Sequence, residues 1–166
     1  CAAHGNRLGY SCTLQLCALM AVPSATTALA SVDDYLKDAG SLDKALLPLG
    51  FLLVFCAQHQ LLSPQFRQDR EQQLSSVRFQ EGPVTALLAS HGGTLYATDF
   101  SPRGVAFMQQ YLAQLPADFA DIFGVDCYAI EDNWENYQLY QDQDLQNQDQ
   151  LQGSLIQQNN QFLLLL

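Results

Sequence analysis

The chain has 166 residues, 48% of them hydrophobic, which is enough for one domain with a substantial core. Seven Lys and Arg against 17 Asp and Glu give a formal net charge of −10. This acidity argues against a nucleic-acid-binding domain and against a protein held on anionic lipid by a polybasic patch. No apolar run reaches the roughly 18 residues of a membrane-spanning helix, so we expect no transmembrane segment.

Residues 1–30 form an apolar N-terminal segment, which we interpret as a signal or an extra helix. A short apolar run follows Arg7, and the segment ends on Ala28-Leu29-Ala30, the small-residue pattern of a secretory signal cleaved before Ser31. The alternative is a cytosolic chain that starts at Met20. We expect a cytoplasmic protein, with export as the alternative, because the five cysteines lack metal-site spacing and suit a reducing compartment.

Residues 31–140 are predicted to form a single compact helical domain, mainly α with one or two short strands. Gly40, Pro64, Pro116 and Gly124 are the breakers, and Pro48 either kinks or restarts the second helix. In chain order the predicted segments are a helix at Ser31–Asp38, a buried helix that starts after Ser41 with its main part at Leu49–Leu62, an exposed helix or loop at Gln65–Ser76, a helix at Val84–Ala89, a helix that starts at Ser101-Pro102, a helix at Ala117–Phe123 and a strand at Val125–Ile130.

Residues 141–166 belong to a tail rich in Gln, Asp and Leu, in which Gln dominates from residue 138 to residue 161. Widely spaced leucines are compatible with a polar helix that has a thin apolar stripe. A flexible tail, or one that becomes ordered on a partner, is the alternative.

His4, His59 and His91 are the only imidazoles available for acid–base or nucleophilic chemistry. His59 follows Cys56 by three residues, but its apolar helix favours a packed histidine over a Cys–His pair. His91 precedes Gly92-Gly93 and suits a turn. No phosphate-binding loop, dinucleotide fingerprint or His-Glu-x-x-His motif occurs. We therefore predict no catalytic site, no cofactor and no metal site.

The densest group of chemically capable residues comprises Asp126, Glu131, Asp132, Trp134, Glu135 and Tyr137. These acids could bind a hard cation, although the spacing lacks the pattern of a calcium loop. They could also supply paired carboxylates for hydrolysis. We favour a third interpretation, in which Asp132 or Asn133 caps a helix, Trp134 and Tyr137 pack inside, and the acids face solvent or a partner.

The same stretch carries a family resemblance. YAIEDNWENYQ (Tyr128–Gln138) resembles the Glu-Asp-Thr/Ser-Trp-x-Asn-Phe/Tyr segment of a family of small bacterial domain proteins of unknown function. Pro48–Ser63 and Leu95–Leu112 resemble two upstream segments of that family, so the likeness spans about residues 42–140. This chain departs from the family pattern at Pro48, where the family has His, and in its Gln-rich tail, which replaces a basic helix. The resemblance implies a small cytosolic bacterial protein and brings no catalytic residue; some relatives look like immunity or accessory proteins of toxin systems.

The distribution of charge supplies the main functional hypothesis. The 63 residues after Arg103 contain nine acids and no Lys or Arg. We expect a non-enzymatic protein that binds a basic protein partner, with immunity-like toxin neutralisation as its most concrete form. Glu131, Asp132 and Glu135 would supply the charge, and Trp134 or Tyr137 the aromatic anchor if exposed. The alternative is an assembly subunit that self-associates through its terminal segments. A small hydrolase using Asp126, Glu131 and His91 is the third hypothesis.

Overall fold

The computed structural model describes residues 27–143, which contain eight α-helices, two 3₁₀ turns and a two-stranded sheet. The mainly helical fold is therefore confirmed. The elements are β1 Ala28–Ser31, α1 Asp33–Ala39, α2 Leu42–Gln58, α3 Pro64–Asp69, α4 Glu71–Arg78, α5 Ala86–Ser90, β2 Thr94–Tyr96, a 3₁₀ turn at Ala97–Asp99, α6 Pro102–Tyr111, α7 Leu115–Phe123, a 3₁₀ turn at Cys127–Ala129, and α8, which begins at residue 134 and includes residue 143.

Helix α2 is the centre of the core, since every residue from Ala45 to Cys56 is buried. Pro48 lies inside it and neither breaks nor restarts the helix, although it removes one backbone donor. The helix ends at Gln58, four residues earlier than predicted. Gln60 adopts a left-handed backbone (φ 58°), and the Leu61 amide turns back to the Cys56 carbonyl. The apolar residues after Gln58 are therefore buried in a connection rather than in the helix.

The sheet is formed by two short strands far apart in sequence. β1 pairs antiparallel with β2, with Ala30 opposite Leu95 and Ser31 opposite Thr94. The small-residue pattern that resembles a cleavage site thus forms β1, and Ala30 is buried. β1 and α8 cross the domain boundaries predicted after residues 30 and 140. Of the two predicted terminal segments, only residues 27–30 and 141–143 are described.

The predicted strand at Val125–Ile130 is wrong, because this stretch contains a 3₁₀ turn at Cys127–Ala129. Cys127 is buried, whereas Val125 is almost completely exposed. The alternating pattern therefore comes from a 3₁₀ turn that buries Cys127, and this stretch does not pair with a strand.

The first turn of helix α6 lies very close to Leu61, in the connection that follows α2. Ser101 caps the helix as predicted, since its hydroxyl accepts from the Gly104 amide at 3.2 Å, and the same hydroxyl donates to the Leu61 carbonyl. A Cβ at Gly104 would lie 2.0 Å from that carbonyl oxygen, so a larger residue does not fit. Pro116 opens α7 rather than ending α6, which already ends at Tyr111.

Helices α2, α7 and α8 meet in a cluster of aromatic rings around Phe51. Its ring makes edge contacts with Phe119, Phe123, Tyr137 and Tyr140, at centroid distances between 5.7 and 6.3 Å. α7 and α8 therefore both pack against α2 through this cluster.

Candidate functional site

The start of α8 is fastened to the turn that precedes α5. The Asp132 carboxylate accepts from the Thr85 amide at 3.2 Å and from the Thr85 hydroxyl. The Trp134 indole donates from Nε1 to the Gly82 carbonyl at 2.9 Å. On its other side Thr85 contacts α2, where a Cβ at Gly50 would lie 2.8 Å from Thr85 Cγ2. Asp132 and Trp134 therefore anchor α8 to the domain.

Asn133 is the residue that caps α8, which decides between the two capping residues left open by the sequence. Its Oδ1 accepts from the Asn136 amide at 2.8 Å, the usual bond of an N-cap. The Asn136 side chain in turn donates to the Glu131 carbonyl at 2.8 Å. The Glu-Asp-Asn-Trp stretch thus forms a closed local structure in which Asp132 remains available for Thr85.

Tyr137 cannot serve as an exposed aromatic anchor, because only 1% of it is exposed. Its ring lies 5.8 Å from that of Phe51, and its hydroxyl donates to Gln58 Oε1 at 2.6 Å. Trp134 is half-buried and packs edge-on against Tyr137 at 5.5 Å. Of the two aromatic candidates, Trp134 alone is accessible to a partner, along the part of its ring that is not buried.

The remaining acids of the group point to solvent. Glu131, Glu135 and Asp126 are exposed, as are Asp121 on α7 and Asp142 on α8. The rings of Phe119 and Tyr140, 6.1 Å apart, hold these two helices together. We call these five carboxylates, Asp121, Asp126, Glu131, Glu135 and Asp142, the acidic surface.

Burial is the main cause of the raised pKa values near α7 and α1. Burial and then the charge of Asp121 raise the pKa of Asp118, and a hydrogen bond from Tyr111 partly opposes them. Two tyrosines near α1 also have raised pKa values. Burial, together with Tyr128 and Asp34, raises the pKa of Tyr35 to about 12, and burial, Cys127 and Asp38 raise that of Tyr128.

His91 contacts neither Asp126 nor Glu131, the acids of the hydrolase hypothesis. Its Nε2 lies 2.9 Å from Asp99 Oδ2, and its Nδ1 lies 3.3 Å from a guanidinium nitrogen of Arg70. Since arginine can only donate, Nδ1 accepts and Nε2–H donates to Asp99. Asp99 also accepts from the Tyr96 amide, and Arg70 donates to the Ser90 carbonyl. We call Arg70, His91 and Asp99 the His91 cluster; it joins the junction of α3 and α4, the end of α5 and the 3₁₀ turn after β2.

His59 is a packed residue, as the sequence favours. Its ring lies on that of Phe55 at a centroid distance of 4.1 Å, while Cys56 Sγ faces Met108 Sδ at 3.9 Å. His59 Nε2 is buried, and no hydrogen-bond partner for it occurs within residues 27–143. Burial, and then Arg103, lower the pKa of this ring. Cys127 is buried like Cys56, whereas Cys1, Cys12, Cys17 and His4 lie outside the described residues.

Within residues 27–143, no group of three or more His, Cys, Asp and Glu is arranged to hold a metal ion. None of the helices in this part of the chain is both long and apolar enough to cross a membrane.

Sequence reasoning missed Thr85, Gly82, Arg70 and Asp99 as partners of the candidate residues. Asp99 carries a local signal, since it lies three residues after Tyr96 and accepts from that backbone amide, as in a capping box. Thr85 and Gly82 carry none, because their partners in the chain are 47 and 52 residues away.

The family model of a domain of unknown function (DUF7832) matches residues 32–131. The chain belongs to this family. The resemblance to a family of unknown function is thereby confirmed. No curated protein and no solved structure matches the chain. The DUF7832 match ends at Glu131, so β1 and α8 lie outside it, although α8 contributes Tyr137 and Tyr140 to the core.

Proposed function

We propose that this protein binds a basic protein partner through the acidic surface, which spans α7, α8 and the connection between them, without catalysing a reaction. Its most concrete form is immunity-like neutralisation of a basic toxin. The single observation that carries the proposal is the exposure of five carboxylates on α7, on α8 and in the connection between them, in a stretch (residues 104–143) without Lys or Arg. Such a surface speeds the encounter with a basic partner and makes binding dependent on salt.

The candidate residues that are not exposed support this proposal, because they hold α8 against the rest of the domain. Asp132, Trp134 and Tyr137 hold α8 in place, so the outward position of Glu131 and Glu135 is fixed by packing rather than left to a flexible segment. A rigid array of like charges is costly to a domain unless an opposite charge meets it. A basic partner supplies that charge.

The proposal is best tested by affinity capture from the source organism at low salt, with two variants of equal net charge. One carries Asp121→Asn, Asp126→Asn and Glu135→Gln on the acidic surface. The control carries Asp43→Asn, Asp69→Asn and Glu71→Gln, which neutralise three exposed acids of α2, α3 and α4. We expect a basic protein in stoichiometric amount on the wild type and the control, released by salt and lost from the first variant.

Two outcomes would contradict the proposal. Equal capture by both variants would show that net charge, and not the acidic surface, retains the protein. Recovery of the bait alone, as a salt-resistant oligomer, would favour the assembly alternative, in which terminal segments associate with other copies. Sedimentation of the purified chain at low and high salt separates these two results.

A further inference from the structure

The His91 cluster holds a histidine ring between two side chains of opposite charge. The ring donates from Nε2 to the Asp99 carboxylate at 2.9 Å, and its Nδ1 accepts from the Arg70 guanidinium at 3.3 Å. Arginine stays charged and can only donate, so the bond to Arg70 requires a neutral ring with a free lone pair on Nδ1. The arrangement therefore depends on one nitrogen atom of His91 remaining unprotonated.

Few other ionisable groups are placed to compensate a change of charge on this ring. Within residues 27–143, the charged side chains that hydrogen-bond to His91 are those of Arg70 and Asp99. Helix α5 (Ala86–Ser90), which ends at His91, contains no ionisable side chain. The ionisable residues of the adjoining elements are four exposed ones, Arg67 and Asp69 on α3 and Glu71 and Arg78 on α4, and half-buried Tyr96 on β2.

A proton on Nδ1 affects the two bonds of the ring in opposite ways. The imidazolium cannot accept from Arg70, and it repels the guanidinium that lies at hydrogen-bond distance. Its bond to Asp99 becomes an ion pair and is strengthened. The ring is also held by an edge-on contact with Phe66, at a centroid distance of 4.9 Å, and by its backbone amide, which donates to the Leu88 carbonyl. Arg70, a long and half-buried side chain, is therefore the group that moves.

We propose that the His91 cluster is an acid-sensitive link between the α3–α4 junction and the end of α5: a proton on His91 Nδ1 releases Arg70, while Asp99 keeps the ring in place. Arg70 also donates to the Ser90 carbonyl at 3.2 Å, and this bond is weakened when the guanidinium moves away from the ring. The α3–α4 junction thereby loses its side-chain attachment to the end of α5. The inference goes beyond the proposed function, because none of the three residues belongs to the acidic surface.

Nitrogen NMR of the full chain tests the proposal without any substitution. Histidine is the side chain whose charge ordinarily changes between about pH 5 and pH 8, so the titration runs from pH 7.5 to pH 5.5. At pH 7.5 we expect the ring of His91 to carry its proton on Nε2. On acidification Nδ1 should gain a proton, and the guanidinium signals of Arg70 should change with the same midpoint. The signals of Arg67, an exposed residue of α3, are the internal control and should not follow that titration.

A variant that cannot titrate provides the matched comparison. In His91→Gln, the side-chain carbonyl can accept from Arg70 and the side-chain amide can donate to Asp99, at every pH. The reporter is hydrogen exchange of the Leu74 amide, which donates to the Arg70 carbonyl. We expect equal exchange in the two proteins at pH 7.5, and exchange about threefold or more faster in the wild type at pH 5.5. The Gly124 amide, at the end of α7, should exchange alike in both.

Three results would overturn the proposal. The first is a ring that gains a proton on Nδ1 while the Arg70 signals stay unchanged, and the second is a ring that remains neutral at pH 5.5. The third is equal exchange of the Leu74 amide in wild type and His91→Gln at pH 5.5. The titration of the wild type decides the question even if glutamine does not replace the ring. Since no measurement involves a partner, each of these failures leaves the proposed binding function to its own test.

Discussion

The anchor of α8 and the His91 cluster both contain residues that the sequence marks as capable of chemistry, and the structure uses them differently. In the His91 cluster, histidine and carboxylate face each other, and their side chains are only 13% and 11% exposed. Around the anchor, the residues separate: Asp132 and Tyr137 turn inward, whereas Glu131 and Glu135 turn outward. In the His91 cluster the polar side chains bond to one another. At the anchor the inward residues bond to the domain, and the outward carboxylates remain exposed to solvent.

The largest expected effect on stability is that of removing the ring of Tyr137, which is buried between α8 and α2. Tyr137→Ala removes a side chain in contact with Phe51 and Trp134, and should lower the free energy of unfolding by about 3–4 kcal/mol. Tyr137→Phe keeps the ring and loses the bond to Gln58, for about 1 kcal/mol. Urea unfolding followed by circular dichroism measures both. Equal losses in the two variants would mean that packing of α8 contributes little.

The His91 cluster should be the next most sensitive region. Asp99→Ala leaves the His91 Nε2–H and the Tyr96 amide without their acceptor in a largely buried site, which should cost about 2–3 kcal/mol. Asp69→Ala is the control, because that carboxylate is exposed and should cost less than about 0.5 kcal/mol. A loss at Asp99 no larger than that at Asp69 would contradict a structural role for the cluster.

A smaller difference in stability is expected between variants of two neighbouring acids, Asp132 and Glu135. Asp132→Asn keeps one acceptor for Thr85 but loses the charge, and should cost about 1 kcal/mol. Glu135→Gln should change stability by less than about 0.5 kcal/mol, since the side chain is exposed. Thermal unfolding of the two variants provides the comparison. If the order is reversed, Asp132 is not the structural acid of this segment.

The smallest expected effect is that of pH on His59, whose ring packs on Phe55. Its pKa is lowered in the folded chain, so the unfolded chain binds the proton more readily than the folded one. The stability contributed by neutral His59 is complete above its usual pKa of 6.5 and falls as the pH drops below that value. We expect a decrease of less than about 1 kcal/mol between pH 7.5 and pH 5.5, after allowance for partial exposure.

A matched variant isolates that titration. His59→Phe preserves the stack on Phe55 and removes the ionisable ring, so its stability should be flatter across the same interval. Urea unfolding at each pH gives the comparison. Parallel curves for wild type and variant would assign the acid sensitivity to other groups.

Local signals predicted several parts of the fold correctly. Gly40 ends α1, Ser101 caps α6, and Gly124 ends α7, because the conformation at each helix end depends on a few neighbouring residues. The strand at Val125–Ile130 was predicted from the same kind of local pattern and is wrong. Alternation within six residues does not distinguish a strand from a turn, since a strand requires a partner.

The sequence by itself determined that this is a mainly helical, acidic domain with a buried α2, since apolar periodicity, caps and charge depend on residue type and order alone. Only the tertiary structure decided which acids are structural. Asp132 turns inward because Thr85, 47 residues away, presents two donors to it, and Glu135 stays outside because the packing of Tyr137 and Tyr140 sets the rotation of α8. Such contacts depend on the folded arrangement of distant segments, and no local pattern contains it.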